Sequence, residues 1–146
     1  MLAASVIVGG CFGGGKELVK FTLVSKAPNQ DDKGEPLPVV IRIYQLAGKD
    51  KLEKASFKSL WKNDKEVLEN DLLDRKEVTI YPDSETPLDL EVDTKKGAQY
   101  LGVMGLFRNP QGDTWRLVVP VKGGFFKQSI RLIVDKQTLR LAGKKE

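Results

Sequence analysis

The chain has 146 residues, of which 24 are basic and 20 acidic, for a net charge of +4; it contains one cysteine and no histidine. Without histidine there is no commonest general base, no commonest zinc ligand and no Ser-His or Cys-His mechanism. The mixed surface carries too mild a basic excess for a nucleic-acid binder, its aromatics do not interleave with the basic residues, and a single cysteine forms no internal disulfide.

Residues 1–10 are apolar and uncharged, and they end on Gly9 and Gly10 ahead of Cys11; Phe12, Gly13, Gly14 and Gly15 follow. The pattern reads as an export segment, a cleavage site of small residues, a cysteine that carries lipid, and a flexible tether. Small residues let a processing enzyme approach the scissile backbone. The thiol is the chain's best nucleophile for a diacylglycerol group. Val8-Gly9-Gly10-Cys11 resembles the bacterial lipobox, with Val for the commoner Leu and Gly for Ala or Ser. No Lys or Arg precedes Cys11, and the segment is shorter than the ~15–30 residues of a typical signal. The expectation is that its first residues are missing or that the start is assigned too late. The competing reading, a buried thiol, fits poorly between glycine runs, which build no core. No stretch supplies the ~20 apolar residues of a membrane-spanning helix. The expected organisation is a signal segment over 1–10, lipidated Cys11 and its tether over 11–16, and one domain over 17–146.

In residues 18–24, alternation puts Val19, Phe21 and Leu23 on one face of a strand. Residues 28–38 are polar and carry Pro28, Gly34, Pro36 and Pro38. They form a loop longer than the ~2–5 residues of ordinary hairpins. Long loops on rigid scaffolds often carry binding, and an idle solvated loop is the other reading. Residues 39–46 are the clearest strand, rich in β-branched side chains, with Ile41 and Ile43 on one face.

The period then changes. Residues 51–61 predict a helix in which Phe57, Leu60 and Trp61 share a face, with Lys51, Lys54, Lys58 and Lys62 opposite. Such a basic face can rest on anionic headgroups or cell-wall polymer; a solvated helix surface is the favoured reading. Asn63-Asp64-Lys65-Glu66 reads as a fresh N-cap, opening a second short helix with Leu68 and Leu72 one turn apart.

Period two returns at Lys76. Residues 77–81 form a strand closed by Pro82. In residues 88–93, Leu88, Leu90 and Val92 face in while Asp89, Glu91 and Asp93 face out. Three carboxylates on a straight strand do not converge as calcium ligands do, so a solvated face is the expectation. Residues 100–107 are apolar on both faces, which predicts a central strand; Gly102 and Gly105 mark close approach by another element. A turn over 108–113 leads to a returning strand over 115–121, whose Pro120 suits an edge or strand end. Gly123-Gly124 breaks the chain, residues 129–134 form a strand, residues 138–141 another, and the last five residues fray. About eight short strands with a helical insertion after the second define a mainly β protein, a β-sandwich with helical additions.

No nucleotide-binding, serine-hydrolase or Cys/His metal motif occurs. Acidic pairs such as Asp31 with Asp32, or Asp71 with Asp74, stand in polar loop or helix-end contexts where carboxylates are solvated. The residues argue against an enzyme.

Four pieces in order carry a family likeness: the loop Asn29-Gln30-Asp31-Asp32-Lys33-Gly34-Glu35 leading through Pro36-Leu37-Pro38 into Ile41-Arg42-Ile43-Tyr44; the helix Ala55-Ser56-Phe57-Lys58-Ser59-Leu60; the strand Tyr100-Leu101-Gly102-Val103-Met104-Gly105-Leu106-Phe107-Arg108; and Trp115-Arg116. With Cys11 in front, the chain resembles the TssJ (SciN) family of type VI secretion lipoproteins over nearly its whole length. The resemblance implies a transthyretin-like β-sandwich with added helices and a lipid anchor in the inner leaflet of the outer membrane. Phe12 agrees, since the usual inner-membrane retention signal is Asp at that place. It also implies a partner, the periplasmic C-terminal domain of TssM, touched by the loop between the first two strands, here Asn29, Gln30, Asp31, Asp32, Lys33, Gly34 and Glu35. No cofactor beyond the covalent lipid, no nucleic acid and no small-molecule substrate are expected. The alternative is a periplasmic lipoprotein carrier that binds a small ligand in an apolar pocket of the sandwich.

Overall fold

The computed structural model describes residues 16–121 and 128–143. The signal segment, Cys11, the glycine tether and the Gly123-Gly124 break lie outside them. Eight strands run in chain order: β1 (Lys16–Pro28), β2 (Val39–Leu46), β3 (Leu72–Ile80), β4 (Ser84–Asp93), β5 (Tyr100–Gly105), β6 (Arg116–Pro120), β7 (Gln128–Lys136) and β8 (Thr138–Leu141). Two helices, α1 (Asp50–Lys54) and α2 (Phe57–Leu68), follow β2. The strands form two four-stranded sheets, ordered β4-β1-β7-β8 and β3-β2-β5-β6. Pairing is antiparallel except between β1 and β7, which run parallel.

Period-two patterning decides which faces meet. Val19, Phe21 and Leu23 of β1 are all but sealed from solvent, and the register sets Phe21 beside Leu88 on β4 and Ile130 on β7. The facing sheet contributes Ile41 and Ile43 from β2, and Val103 pairs with Ile43. Asp89 and Glu91 stand exposed on the outer face of β4, while Asp93 accepts from the Lys95 N–H (3.0 Å) at the turn that follows. Pro120 lies on β6, an edge of its sheet, where its missing N–H costs no ladder bond.

The second sheet is covered on both faces, which explains the continuous apolar run of β5. Its outer side carries Arg42, Tyr44 and Leu46 on β2 beside Met104 and Gly102 on β5. The two helices lie over that side and bury Leu52, Leu60 and Leu68. Gly102 sits where α1 comes closest: a Cβ there would overlap Leu52 Cδ2 and approach Leu46 Cδ1 to 3.1 Å.

The helical segment departs in part from the expected division. The single helix over 51–61 is broken at residues 55–56. Ala55 is extended (φ −71°, ψ 148°), and Ser56 caps α2 by accepting from the Ser59 N–H at 3.2 Å. The division expected at Asn63 is present: that residue leaves helical geometry (φ −139°, ψ 43°), and α2 is two helical segments joined across this kink, the second running to Leu68. Leu72 does not stack on Leu68 in a helix; it opens β3 and pairs with Leu46. The strand begins earlier than its pattern shows because residues 74–77 are exposed along a sheet edge and show no alternation. Trp61, expected on the inward face, is 49% exposed, while Leu60 is fully buried.

Candidate functional site

The loop over residues 29–38 leaves β1 at the end opposite Lys16. Asn29 is its brace. It takes a left-handed conformation (φ 54°), which Asn tolerates better than most residues, and it is nearly buried. Its backbone N–H donates to the Lys136 carbonyl at 2.6 Å and its Nδ2 to the Pro38 carbonyl at 2.9 Å. Its Oδ1 accepts from the Arg108 N–H at 2.7 Å. One residue thus ties the loop together: its side chain joins the loop's far end to the β5–β6 connection, and its backbone N–H joins the near end to the end of β7.

Asp31 organises the tip. Its Oδ1 accepts from the backbone N–H groups of Lys33 (2.8 Å) and Glu35 (2.9 Å), an Asx arrangement that fixes the turn. Its carbonyl accepts from the Gly34 N–H, and Gly34 adopts φ 81°, the left-handed region that favours glycine. Asp32, Lys33, Gly34 and Glu35 are exposed beyond this brace. Gln30 is half-buried, and its carbonyl accepts from Arg108 Nη1 at 3.4 Å. Arg108 also reaches Asp32 Oδ1 at 3.2 Å, but the carboxylate is 94% exposed, so this pair contributes little by itself. The seven residues singled out in the sequence therefore divide. Asn29 and Asp31 hold the loop, Gln30 is half-buried and gives its carbonyl to Arg108, and Asp32, Lys33, Gly34 and Glu35 present the tip.

Beside the loop lies a groove of about 230 Å³ lined by Phe57, Trp61, Leu106, Phe107 and Arg108. Arg108 belongs to both features. Local chemistry fixes the walls. The Phe107 ring folds over Gly105, where a Cβ would come within 2.5 Å of it. Phe57 packs edge-on against Trp115, with ring centroids 5.1 Å apart and planes at 83°.

Two arginines pin the helices to the sheet. Arg116 on β6 donates to the Leu52 carbonyl at 2.9 Å and to the Ala55 carbonyl at the end of α1. Arg42 on β2 donates to the Leu60 and Trp61 carbonyls, each at 3.1 Å, and pairs with Glu77 at 2.8 Å. Between them Asp64, buried at the kink of α2, accepts from Arg75 (2.6 Å) and from the Tyr44 hydroxyl (3.2 Å), with Arg42 Nη1 3.5 Å away. Burial opposes the charge on Asp64, but the Arg75 hydrogen bond and charge, the Tyr44 hydroxyl and the Arg42 charge outweigh it and hold the carboxyl below its usual range. Burial, reinforced by that neighbouring carboxylate, pushes the Tyr44 phenol up to about 12 despite the opposing influence of Arg42. The Asp64 carboxylate has several partners, which is the state of a structural anchor rather than of a reactive acid. Sequence reasoning missed this cluster. The signal lay in charged residues on β2 and β3, Arg42, Arg75 and Glu77, at positions that face a third layer.

Among the described residues no group of three or more His, Cys, Asp or Glu side chains is placed to hold a metal ion. Lys51 pairs with Glu69 at 3.3 Å, while Lys54, Lys58 and Lys62 are exposed.

A filled sandwich, a helical layer pinned to one sheet and a braced loop exposed at one end define a protein built to present a surface. The chain belongs to the type VI secretion lipoprotein family that includes VasD, EvfM, TssJ and SciN; the family's model matches residues 18–137. Its fold is similar to that of Serratia marcescens Lip, a membrane-bound component of the type VI secretion system (22% identity, 86% of this chain and 97% of that one, TM-score 0.78). It is also similar to a chain of a type VI membrane complex (28% identity, 87% and 98% covered, TM-score 0.79). A chain in a structure described as the T6SS protein TssM C-terminal domain from EAEC is likewise similar (28% identity, 86% and 99% covered, TM-score 0.74). No curated protein matches.

Proposed function

We propose that this protein is an outer-membrane lipoprotein that anchors the type VI secretion membrane complex. Lipid on Cys11 holds it to the inner leaflet, and the tip of the 29–35 loop binds the periplasmic C-terminal domain of TssM. Family membership supports the reading, as does likeness to chains from a type VI membrane complex and from a TssM structure.

The observation that carries it is polarity. β1 is 13 residues long, and at ~3.3 Å per residue it sets Lys16 about 40 Å from Pro28. Cys11 is five residues before Lys16. Lys16, which follows the tether in sequence, and the braced loop stand at opposite ends of one strand, which supports a tether between a bilayer and a distant partner. Anchoring needs more than one acyl chain, because a single short chain binds only marginally at ~0.8 kcal/mol per buried methylene. The carrier alternative gains no support from the sandwich interior, which is packed with Phe21, Leu23, Ile41, Ile43, Leu101 and Leu132, none more than 1% exposed.

The test is the affinity of a soluble form starting at Phe12 for the periplasmic C-terminal domain of the cognate TssM, with residues 29–35 intact or replaced by a short glycine linker. The expected result is binding lost with the loop in a variant that stays folded. Binding that survives moves the contact to another surface, and no binding by the intact form overturns the reading. Separately, Cys11→Ser should abolish lipid labelling and membrane fractionation; a variant still lipidated sinks the anchoring half.

A further inference from the structure

We propose that the groove walled by Phe57, Trp61, Leu106 and Phe107 is the second half of the docking surface. Its occupant is one aromatic or branched aliphatic side chain of the partner domain, flanked by carboxylates. The inference rests on the partner proposed above and assigns the site that gives the contact its apolar anchor.

The loop alone makes a poor anchor. Its exposed tip is Asp32, Lys33, Gly34 and Glu35, small or charged groups of the kind that position a partner and contribute little binding energy. The groove supplies what the loop lacks. Among the described residues Trp61 is one of three large apolar side chains that stand exposed, and Trp and Arg dominate binding hot spots. About 230 Å³ lies below the ~300–1,000 Å³ of small-molecule sites and suits one inserted side chain. Its walls are set before binding, by Phe57 against Trp115 and by Phe107 over Gly105, so little ordering entropy is lost on docking.

Charge selects the occupant. Lys62 Nζ lies 5.4 Å from the Trp61 ring centre. Lys58, one helical turn before Trp61 and Lys62, is exposed on the same side of α2. Arg108 closes the other rim, and among the described residues no acidic side chain lines the groove. An apolar side chain entering here brings its neighbours against three cations, which carboxylates complement. Arg108 also makes the surface continuous. It contacts Gln30 and Asp32 of the loop while lining the groove, and its exposed pair with Asp32 is weak enough to exchange for a partner carboxylate.

The test uses the same soluble form and the same TssM domain, by calorimetry at low and moderate salt. Trp61→Ala should weaken binding about thirty-fold, Trp61→Phe by less, and Lys58→Glu with Lys62→Glu should weaken it and flatten its salt dependence. Trp61 is half exposed, so these variants fold, which circular dichroism checks. If the loop replacement abolishes binding while Trp61→Ala binds as the parent does, the groove proposal fails and the loop stands. If the charge reversal leaves affinity unchanged at low salt, the acidic occupant is wrong. Trp61-dependent binding to anionic vesicles, or Trp61-dependent dimerisation in sedimentation, assigns the groove to another occupant and also overturns the proposal. An intact protein that does not bind the domain overturns both readings together.

Discussion

Asp64→Ala tests whether the buried charge cluster is what holds the helical layer on its sheet. The substitution removes the acceptor of the fully buried Tyr44 hydroxyl, whose remaining neighbours are the Arg42 guanidinium, itself a donor, and Met104 Sδ at 3.9 Å. An unsatisfied buried hydroxyl costs about 1–3 kcal/mol. Arg75 loses its 2.6 Å partner, but it is a third exposed, so water returns most of that energy and about 0.5–1 kcal/mol is lost. Arg42 keeps Glu77 and the Leu60 and Trp61 carbonyls, so its charge is not stranded. The expected loss is about 3 kcal/mol. At a urea slope of about 2 kcal/mol per molar the midpoint falls by about 1.5 M. A cycle with Tyr44→Phe separates the hydroxyl: in the Asp64→Ala background Tyr44→Phe should cost less than in the parent, by at least about 1 kcal/mol. The pH dependence has a definite sign. The folded Asp64 pKa lies below its unfolded value of about 3.9, so its contribution is present above that pH and is lost as pH falls through the folded value. The gap between parent and variant should hold constant above about pH 5 and close only below about pH 4. A loss under about 1 kcal/mol, or an additive cycle, refutes the anchor.

Tyr44 should ionise near pH 12 in an ultraviolet titration, a phase missing in Tyr44→Phe; because its folded pKa is raised, its contribution is complete below about pH 10 and is lost as pH rises towards 12. Gly102→Ala pushes a methyl into Leu52 and Leu46 and should lower stability by about 1–3 kcal/mol, and truncating Leu52 as well should cost less than the sum of the single changes. Asn29→Ala removes two side-chain hydrogen bonds at the base of the loop, the one given to the Pro38 carbonyl and the one accepted from the Arg108 N–H. It should speed amide exchange at Lys33 and Glu35 and weaken TssM-domain binding while the tip residues remain, whereas unchanged exchange would show that Asp31 alone fixes the loop.

Alternation in β1 and β4 is legible in the sequence because a strand with one face on the core and the other towards solvent repeats every two residues. The loop was legible too, since its prolines, Gly34 and carboxylates cannot continue a ladder. Where Trp61 points was not. Helical spacing groups Phe57, Leu60 and Trp61, but the angle at which α2 lies on the sheet sends Leu60 inward and leaves Trp61 at the rim. The first half of β3 was hidden for a related reason: an exposed edge strand is held by its hydrogen bonds to β2, and nothing in its side chains repeats.

The sequence by itself determined the mainly β class, the helical insertion, the family likeness and the loop, because each rests on local periodicity or on residues whose backbone limits are intrinsic. Only the tertiary structure decided that Asn29 is a brace, that Asp64 gathers Tyr44, Arg75 and Arg42, and that Arg108 joins the loop to the Trp61 groove. Those roles depend on contacts between residues tens of positions apart, with Asn29 and Arg108 separated by 79. Such partners are set by sheet register and by the direction in which each helix crosses the sheet, and no short window of sequence contains either.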